Sequence, residues 1–260
     1  MMDIKIGVQL ASLRLPFRQA LPIAARMGAQ AVEIDARGEI KPQDLSRTAM
    51  RQIRKMLEDL NLRVCAVRFR TRRGYGDRDG LEGRVDATLE ALKFAYDLGC
   101  NVVVNQVGRV PDKPEGREWE LLRETLSDLG RSSQRIGALL AAETGSESGS
   151  DLLRLIESLP SGSIGVTLNP GNLIVHGFSA SEATRLLARH VLYVHVKDGV
   201  RDLAQGRGLE VPVGRGSVDF PEIFGLLEDQ QYRGYFTVER ENSPQPLVDI
   251  ENSIQYLRNL

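Results

Sequence analysis

Short segments with alternating apolar and polar residues recur along the chain, separated by longer segments in which apolar residues recur every three or four positions. Alternation predicts strands, and the longer spacing predicts amphipathic helices. Strands are predicted at residues 4–10, 31–36, 63–69, 101–107, 138–143, 164–169, 192–197 and 235–239. Helices are predicted at 17–27, after Pro42 to Leu60, up to Leu98, at 118–135, at 151–158, after Ser179, after Asp219, and at 247–257.

Eight strand–helix pairs within 260 residues match the (β/α)₈ barrel in number and size. The rival α/β architecture, an open doubly wound sheet, normally carries a glycine-rich turn after its first strand. Residues 9–14 form that turn here, and they contain no glycine. We therefore predict an α/β fold, a (β/α)₈ TIM barrel that forms one domain over residues 1–260.

The overall composition of the chain indicates what kind of molecule it binds. Hydrophobic residues make up 42% and charged residues 27% of the chain, and the net charge is −1. These values are typical of a globular protein without general attraction to nucleic acid or membranes, so we expect a small-molecule partner. Cys65 and Cys100 lie in apolar runs, which favours buried thiols in a reducing compartment. Lys5 and Gln9 interrupt the first apolar segment, so no signal peptide is predicted and the cytoplasm is the expected location.

The predicted strand at 192–197 has polar side chains on a face that would normally be apolar. Tyr193, His195 and Lys197 alternate with Val194 and Val196, so the polar side chains share one side of the strand. An ordinary apolar core does not place an imidazole beside an ammonium group. This face is therefore the first candidate for chemistry.

Three other predicted strands end in a carboxylate or an amide. Glu143, Asn169 and Glu239 are the last residues of their segments, and parallel strands bring such ends together with His195. Nitrogen and oxygen donors without thiolates suit Mn²⁺, Mg²⁺, Co²⁺ or Zn²⁺. The two glutamates would alternatively serve as general base and general acid.

Three motifs carry a family resemblance: Val194-His195-Val196-Lys197-Asp198, the segment 211–220, and the segment 234–239. They resemble the xylose-isomerase-like superfamily of sugar-phosphate isomerases and epimerases. The resemblance implies a carbohydrate substrate, with self-association into a homo-oligomer left open. It also implies one divalent metal ion held by Glu143, Asn169, His195 and Glu239, and proton transfer by the two glutamates through an enediolate.

The chain departs from that family pattern at Asn169, where the resemblance leads one to expect aspartate. The ligand charge falls from about −3 to about −2, which predicts weaker metal binding. Asn172 stands where many members carry a substrate-contacting histidine. The predicted substrate contacts are Asn172, Lys197, Arg201 and His176, and for Lys197 an ion pair with Asp198 or an interior glutamate is the alternative.

Other polar residues receive structural rather than chemical roles. Arginines 68, 70, 72, 73 and 78 are predicted to lie in a solvated loop, with a phosphate or carboxylate clamp as the alternative. Glu33 and Asp35 share one face of their strand and are expected to form a buried pair with Arg37 or Lys5, with lining of the barrel as the alternative. Gln9, Asn105 and Gln106 are expected to make hydrogen bonds at strand ends, or to contact substrate hydroxyls.

Two further functions compete with the isomerase. A non-catalytic small-molecule-binding protein on the same barrel is favoured by Asn169. Apurinic endonucleases share the barrel but need a histidine-rich three-zinc cluster, and this chain has only His176, His190 and His195. Substrate choice is expected to depend on the loops at 70–79 and 202–211.

Overall fold

Eight parallel strands close into a barrel in the computed structural model, which describes residues 4–201 and 208–260. The first seven barrel strands are β1 (Lys5–Gln9), β2 (Ala31–Asp35), β3 (Arg63–Arg68), β4 (Val102–Asn105), β5 (Leu139–Glu143), β6 (Gly165–Leu168) and β7 (Val191–Val196). Two short strands outside the barrel follow, β8 (Asp198–Val200) and β9 (Leu209–Val211), and β10 (Tyr235–Val238) is the eighth barrel strand. Strand β1 pairs with both β2 and β10, which closes the barrel. The predicted (β/α)₈ barrel is confirmed.

Helices connect the strands on the outside. They are α1 (Phe17–Met27), α2 (Arg47–Asp59), α3 (Leu81–Asp97), α4 (Arg117–Ile136), α5 (Gly149–Glu157), α6 (Pro170–Val175), α7 (Ala180–Leu187), α8 (Phe220–Asp229) and α9 (Pro246–Arg258). The helix predicted after Pro42 begins later, because Pro42 opens a separate 3₁₀ turn and Ser46 caps α2. Within the described ranges, no helix combines the length and apolar content that a membrane crossing requires.

One helix and one pair of short strands, all at the polar end of the barrel, were not predicted. Helix α6 starts directly after β6, where Asn169-Pro170-Gly171 has the composition of a turn. Strands β8 and β9 form an antiparallel pair beside the main sheet. Residues 202–207, most of the predicted specificity loop at 202–211, lie outside the described residues.

The middle of the barrel is closed by side chains of mixed polarity. The Cys65 sulfur lies 3.4 Å from the Tyr193 hydroxyl and 3.5 Å from the Thr237 hydroxyl. Cys65 and Cys100 are buried and free, as predicted, and burial raises the pKa of each thiol to about 12. Tyr193, Cys65 and Thr237 therefore fill the middle of the barrel below the site. His195 lies above them, and its ring centroid is 5.2 Å from that of Tyr193.

Candidate active site

The polar tips of the late strands meet at one point. Glu143 ends β5, His195 lies on β7, and Glu239 follows β10. One ligand atom from each of these three residues lies within 4.8 Å of the other two. All three side chains are buried, so their interactions are stronger than those of exposed groups.

His195 is held between two carboxylates. Its Nε2 lies 2.7 Å from Glu33 Oε2, and its Nδ1 lies 3.1 Å from Glu143 Oε1. Burial disfavours the imidazolium, but the negative charges of Glu33, Glu239 and Glu143 outweigh it and raise the pKa of His195 well above its usual value. Both ring nitrogens therefore face carboxylates, an arrangement that favours the protonated form of the ring.

Glu33 lines the barrel, which was the alternative expectation, and the expected ion pair is wrong. It does not pair with Arg37 or Lys5, because the inward face of β2 directs it into the barrel toward His195. Gln9 Nε2 donates to Glu33 Oε1 at 2.8 Å and to Glu239 Oε1 at 3.2 Å, so Gln9 fixes both acids. Asp35 instead accepts the backbone N–H of Arg37 at 2.7 Å.

Asn169 lies between the two glutamates and presents its nitrogen to them. Asn169 Nδ2 donates to Glu143 Oε1 at 2.9 Å and to Glu239 Oε2 at 2.7 Å. Its Oδ1 accepts the backbone N–H of Asn172 at 3.0 Å, as an N-cap residue of α6 does. The amide is thus oriented by the helix that begins next to it.

The two carboxylate oxygens of Glu143 differ in their hydrogen bonding. Oε1 accepts hydrogen bonds from Asn169 and His195, whereas the buried Oε2 has no hydrogen-bond partner among the described residues. Burial alone would raise the pKa of Glu143, but His195 and Arg68 lower it to about 2. Glu143 is therefore ionised at neutral pH, with a carboxylate oxygen available to accept a proton.

Cations surround these acids at the mouth of the barrel. Glu241, two residues beyond Glu239, accepts from Arg68 at 2.7 Å, from Arg70 at 3.0 Å and from Lys197 at 2.8 Å. Lys197 Nζ also lies 3.7 Å from Glu239 Oε2, and Arg68 lies 3.5 Å from Glu239 Oε1. Burial opposes the charge of Lys197, yet Glu239 and Glu241 raise its pKa, so the ammonium persists.

The solvated-loop expectation is wrong for Arg68 and holds only in part for Arg70. Arg68 is buried, and Arg70 lies 3.8 Å from Glu143 Oε2 with 41% of its side chain exposed. Arg72, Arg73 and Arg78 are exposed, as expected. Sequence reasoning missed Glu241, although its spacing of two from Glu239 is the signal that the two carboxylates share a side of the extended chain.

The structure gathers three of the predicted substrate contacts around α6. Asn172 is buried with its Nδ2 3.5 Å from Glu143 Oε1, and His176 Nδ1 lies 2.8 Å from the Asn172 carbonyl oxygen. Arg201 is exposed and donates to the Gly177 carbonyl oxygen at 2.8 Å. Lys197, the fourth, lies inside the barrel; its ion pairs are with Glu241 and Glu239, the interior-glutamate alternative. The substrate roles of all four stay predictions.

Asn105 points away from the acids. Its Nδ2 donates to the Tyr75 hydroxyl at 2.8 Å, and its Oδ1 accepts the backbone N–H of Thr71 at 3.1 Å. This is the strand-end hydrogen bonding expected of Asn105. Gln106 is half-buried beside it.

The donor set meets the needs of a divalent cation only in part. Glu143, His195 and Glu239 form a candidate metal triad, with two carboxylate oxygens and one imidazole nitrogen. Asn169 does not fit as the fourth ligand, because it turns amide hydrogens, and not its oxygen, toward the same carboxylates. The predicted four-residue set therefore does not fit a cation as arranged.

The sequence of residues 21–260 matches the family model described as the xylose isomerase-like TIM barrel. The chain belongs to this family. An inosose dehydratase of Bacillus thuringiensis strain Al Hakam is 27% identical, over 74% of this chain and 74% of that protein.

Solved structures share the fold at lower identity. A xylose isomerase domain protein from Planctomyces limnophilus superposes with a TM-score of 0.85 at 24% identity, covering 98% of this chain and 95% of the other. L-ribulose 3-epimerase superposes with a TM-score of 0.79 at 16% identity, covering 99% and 94%. At these identities the superpositions establish the barrel, while chemistry rests on the side chains.

Proposed function

We propose that the protein is an enzyme of the isomerase, epimerase or lyase type that acts on a sugar-like substrate. The reaction begins with removal of a proton from a carbon beside a carbonyl group. Dehydratases and epimerases of polyhydroxylated ketones share this first step, because the adjacent carbonyl stabilises the resulting enediolate. A dehydratase and an epimerase are both among the proteins this chain is similar to.

The open Oε2 atom of Glu143 is the observation that carries the proposal. This buried carboxylate oxygen is ionised at neutral pH and lacks a hydrogen-bond donor among the described residues. A desolvated carboxylate with a free oxygen is able to take a proton from a bound substrate. Glu239 is the second proton-transfer group, and its oxygens already accept from Gln9 and Asn169.

Lys197 supplies positive charge where the enediolate oxygen develops. Its ammonium lies 3.7 Å from Glu239 Oε2, inside the barrel, so a substrate that reaches the acids from the mouth of the barrel also faces Lys197. Glu241 and Arg70 are the partly exposed members of the ionic cluster, so the substrate enters past them. Asn172, His176 and Arg201 would contact the remainder of the substrate.

A divalent ion is the further expectation from the family resemblance, with Glu143, His195 and Glu239 as its candidate ligands. The orientation of Asn169 does not fit that ion, so no step of the proposed reaction depends on it. Glu143, Glu239 and Lys197 perform the proton transfer and the charge stabilisation in either case.

A substrate panel tests the proposed function. Ketohexoses, ketopentoses and inososes are incubated with the wild type and with Glu143→Gln, and NMR distinguishes a new epimer from loss of water. We expect at least one substrate to be converted by the wild type and not by the variant. Glu147→Gln, a buried acid four residues away and outside the triad, is the matched control. Equal conversion by Glu143→Gln would contradict the assignment, and no conversion of any substrate would favour the non-catalytic binding protein.

A further inference from the structure

Asn169 has a single side-chain oxygen, and helix α6 uses it. Asn169 Oδ1 accepts the Asn172 backbone N–H at 3.0 Å at the first turn of the helix. The backbone N–H of Asn169 donates in turn to Thr144 Oγ1 at 2.9 Å, which holds the residue from the other side. Only the two amide hydrogens remain to face the barrel interior.

Those two hydrogens match two acceptors. Glu143 Oε1 and Glu239 Oε2 lie 2.9 Å and 2.7 Å from Asn169 Nδ2, so the amide group bridges two carboxylates that would otherwise repel each other. The bridge lies among the three atoms that a metal ion would join. Both N–H groups of the amide are therefore directed at carboxylates.

An aspartate would behave differently at this position. One of its oxygens would cap the helix, and the other would face the carboxylates, an arrangement that needs a cation between them. Asparagine cannot do both, because turning its amide around would set the NH₂ group against the Asn172 N–H, donor against donor. The change from aspartate to asparagine therefore exchanges a ligand for a hydrogen-bond donor.

The surrounding packing keeps the cap in place. Helix α6 approaches β7 so closely that a Cβ on Gly171 would lie 2.6 Å from the carbonyl carbon and oxygen of Lys197. Asn169 itself is fully buried. The first turn of α6 is therefore packed directly against the backbone of Lys197, at the site where Asn169 caps it.

The chain also provides the positive charge that an ion would bring. Glu143 faces Arg70, and Glu239 faces Arg68 and Lys197. These cations lie 3.5 to 3.8 Å from the buried acids. Each of the two acids therefore already faces a positive side chain of the protein itself.

We propose that the Asn169 amide takes the place of the divalent ion, so that this protein works without a tightly bound metal. The negative charge on the substrate oxygen is then stabilised by Lys197 and Arg68, a consequence that rests on the function proposed above. The absence of a tight metal site does not rest on that function. It follows from the orientation of the Asn169 amide, whose oxygen caps helix α6 while its NH₂ group faces both acids.

Mn²⁺ titration of the substrate-free protein tests this proposal. Chelator-treated wild type and Asn169→Asp are compared by isothermal titration calorimetry. We expect Asn169→Asp to gain a one-to-one Mn²⁺ site at least about 100-fold tighter than any in the wild type. His195→Gln in the Asn169→Asp background should remove that site. A wild type that binds Mn²⁺ within about threefold of the variant, or that retains one equivalent after purification, would overturn the proposal.

A measurement on the wild type alone covers the case in which Asn169→Asp does not fold. A bound ion raises the melting temperature of the state that binds it. We expect the wild-type melting temperature to be the same with Mn²⁺, with Mg²⁺ and with EDTA, whereas stabilisation by either ion would overturn the proposal. Since no substrate is present, a failure here leaves the substrate panel as a separate test of the enzyme activity.

Discussion

The imidazole Nε2 of His195 lies 2.7 Å from Oε2 of Glu33, although the two residues are 162 positions apart in the chain. This contact orients the imidazole ring so that its other nitrogen, Nδ1, faces Glu143. A carboxylate behind a functional histidine sets its orientation and its basicity. Glu33 therefore acts through His195 as a positioning residue.

Removing the charge of Glu33 should alter His195 in a defined direction. Since Glu33 raises the pKa of His195, Glu33→Gln should lower it, and the NMR titration midpoint of the His195 ring should fall. Turnover of any substrate found by the panel should decrease about 10- to 100-fold. The His190 ring, at the opposite end of β7, is the internal reference. An unchanged His195 midpoint would show that Glu33 does not act through this ring.

Glu147 gives a pH-dependent stability prediction. Burial, with Asp151 and Glu143 nearby, raises the pKa of Glu147 from 4.5 to about 7. A raised folded-state pKa contributes stability that is fully present below pH 4.5 and is lost as the pH rises through 7. Relative to Glu147→Gln, the wild type should therefore lose about 2–3 kcal/mol between those limits. Urea unfolding of both proteins at a series of pH values measures this loss. A difference in unfolding free energy that stays constant with pH would contradict the raised pKa of Glu147.

Asp198 organises the chain after β9. Its carboxylate accepts backbone N–H groups from Gly199 at 2.8 Å, Gly214 at 3.0 Å, Gly216 at 2.8 Å and Val218 at 3.2 Å. Asp198→Ala leaves these donors without that acceptor, so we expect a loss of about 2–4 kcal/mol in unfolding free energy. Limited proteolysis should also become faster in residues 212–219. Unchanged denaturation and cleavage would show that the segment is held by other contacts.

The alternating pattern of the chain was sufficient to predict the barrel and the meeting of Glu143, His195 and Glu239. Strand order and side-chain alternation determine that much, because parallel strands place their ends together. The pattern did not predict the partner of Glu33, since the barrel interior joins residues from distant strands. It also gave no sign that Asn169 would cap α6, because a six-residue helix after Pro170 has too few apolar repeats to be recognised.

Lys197 tests the source of charge stabilisation. Lys197→Met should lower kcat about 100-fold with a smaller change in KM, because the ammonium acts mainly on the charge that develops during reaction. Lys197→Arg should recover part of the lost kcat, since it keeps the charge but changes the geometry. Steady-state kinetics on a substrate from the panel measure both. If the kcat of Lys197→Met is within about threefold of the wild type, the developing negative charge is stabilised by a residue other than Lys197.

Solvent deuterium exchange tests the central claim most directly, because it reports proton removal whether or not product is released. Substrate is incubated in D₂O with wild type, Glu143→Gln and the Glu147→Gln control, and the signal of the proton beside the carbonyl is followed by NMR. The wild type and the control should exchange that proton, whereas Glu143→Gln should be slower by about 1,000-fold or more while remaining folded. Exchange by Glu143→Gln at the wild-type rate would contradict the assignment of Glu143 as the proton acceptor.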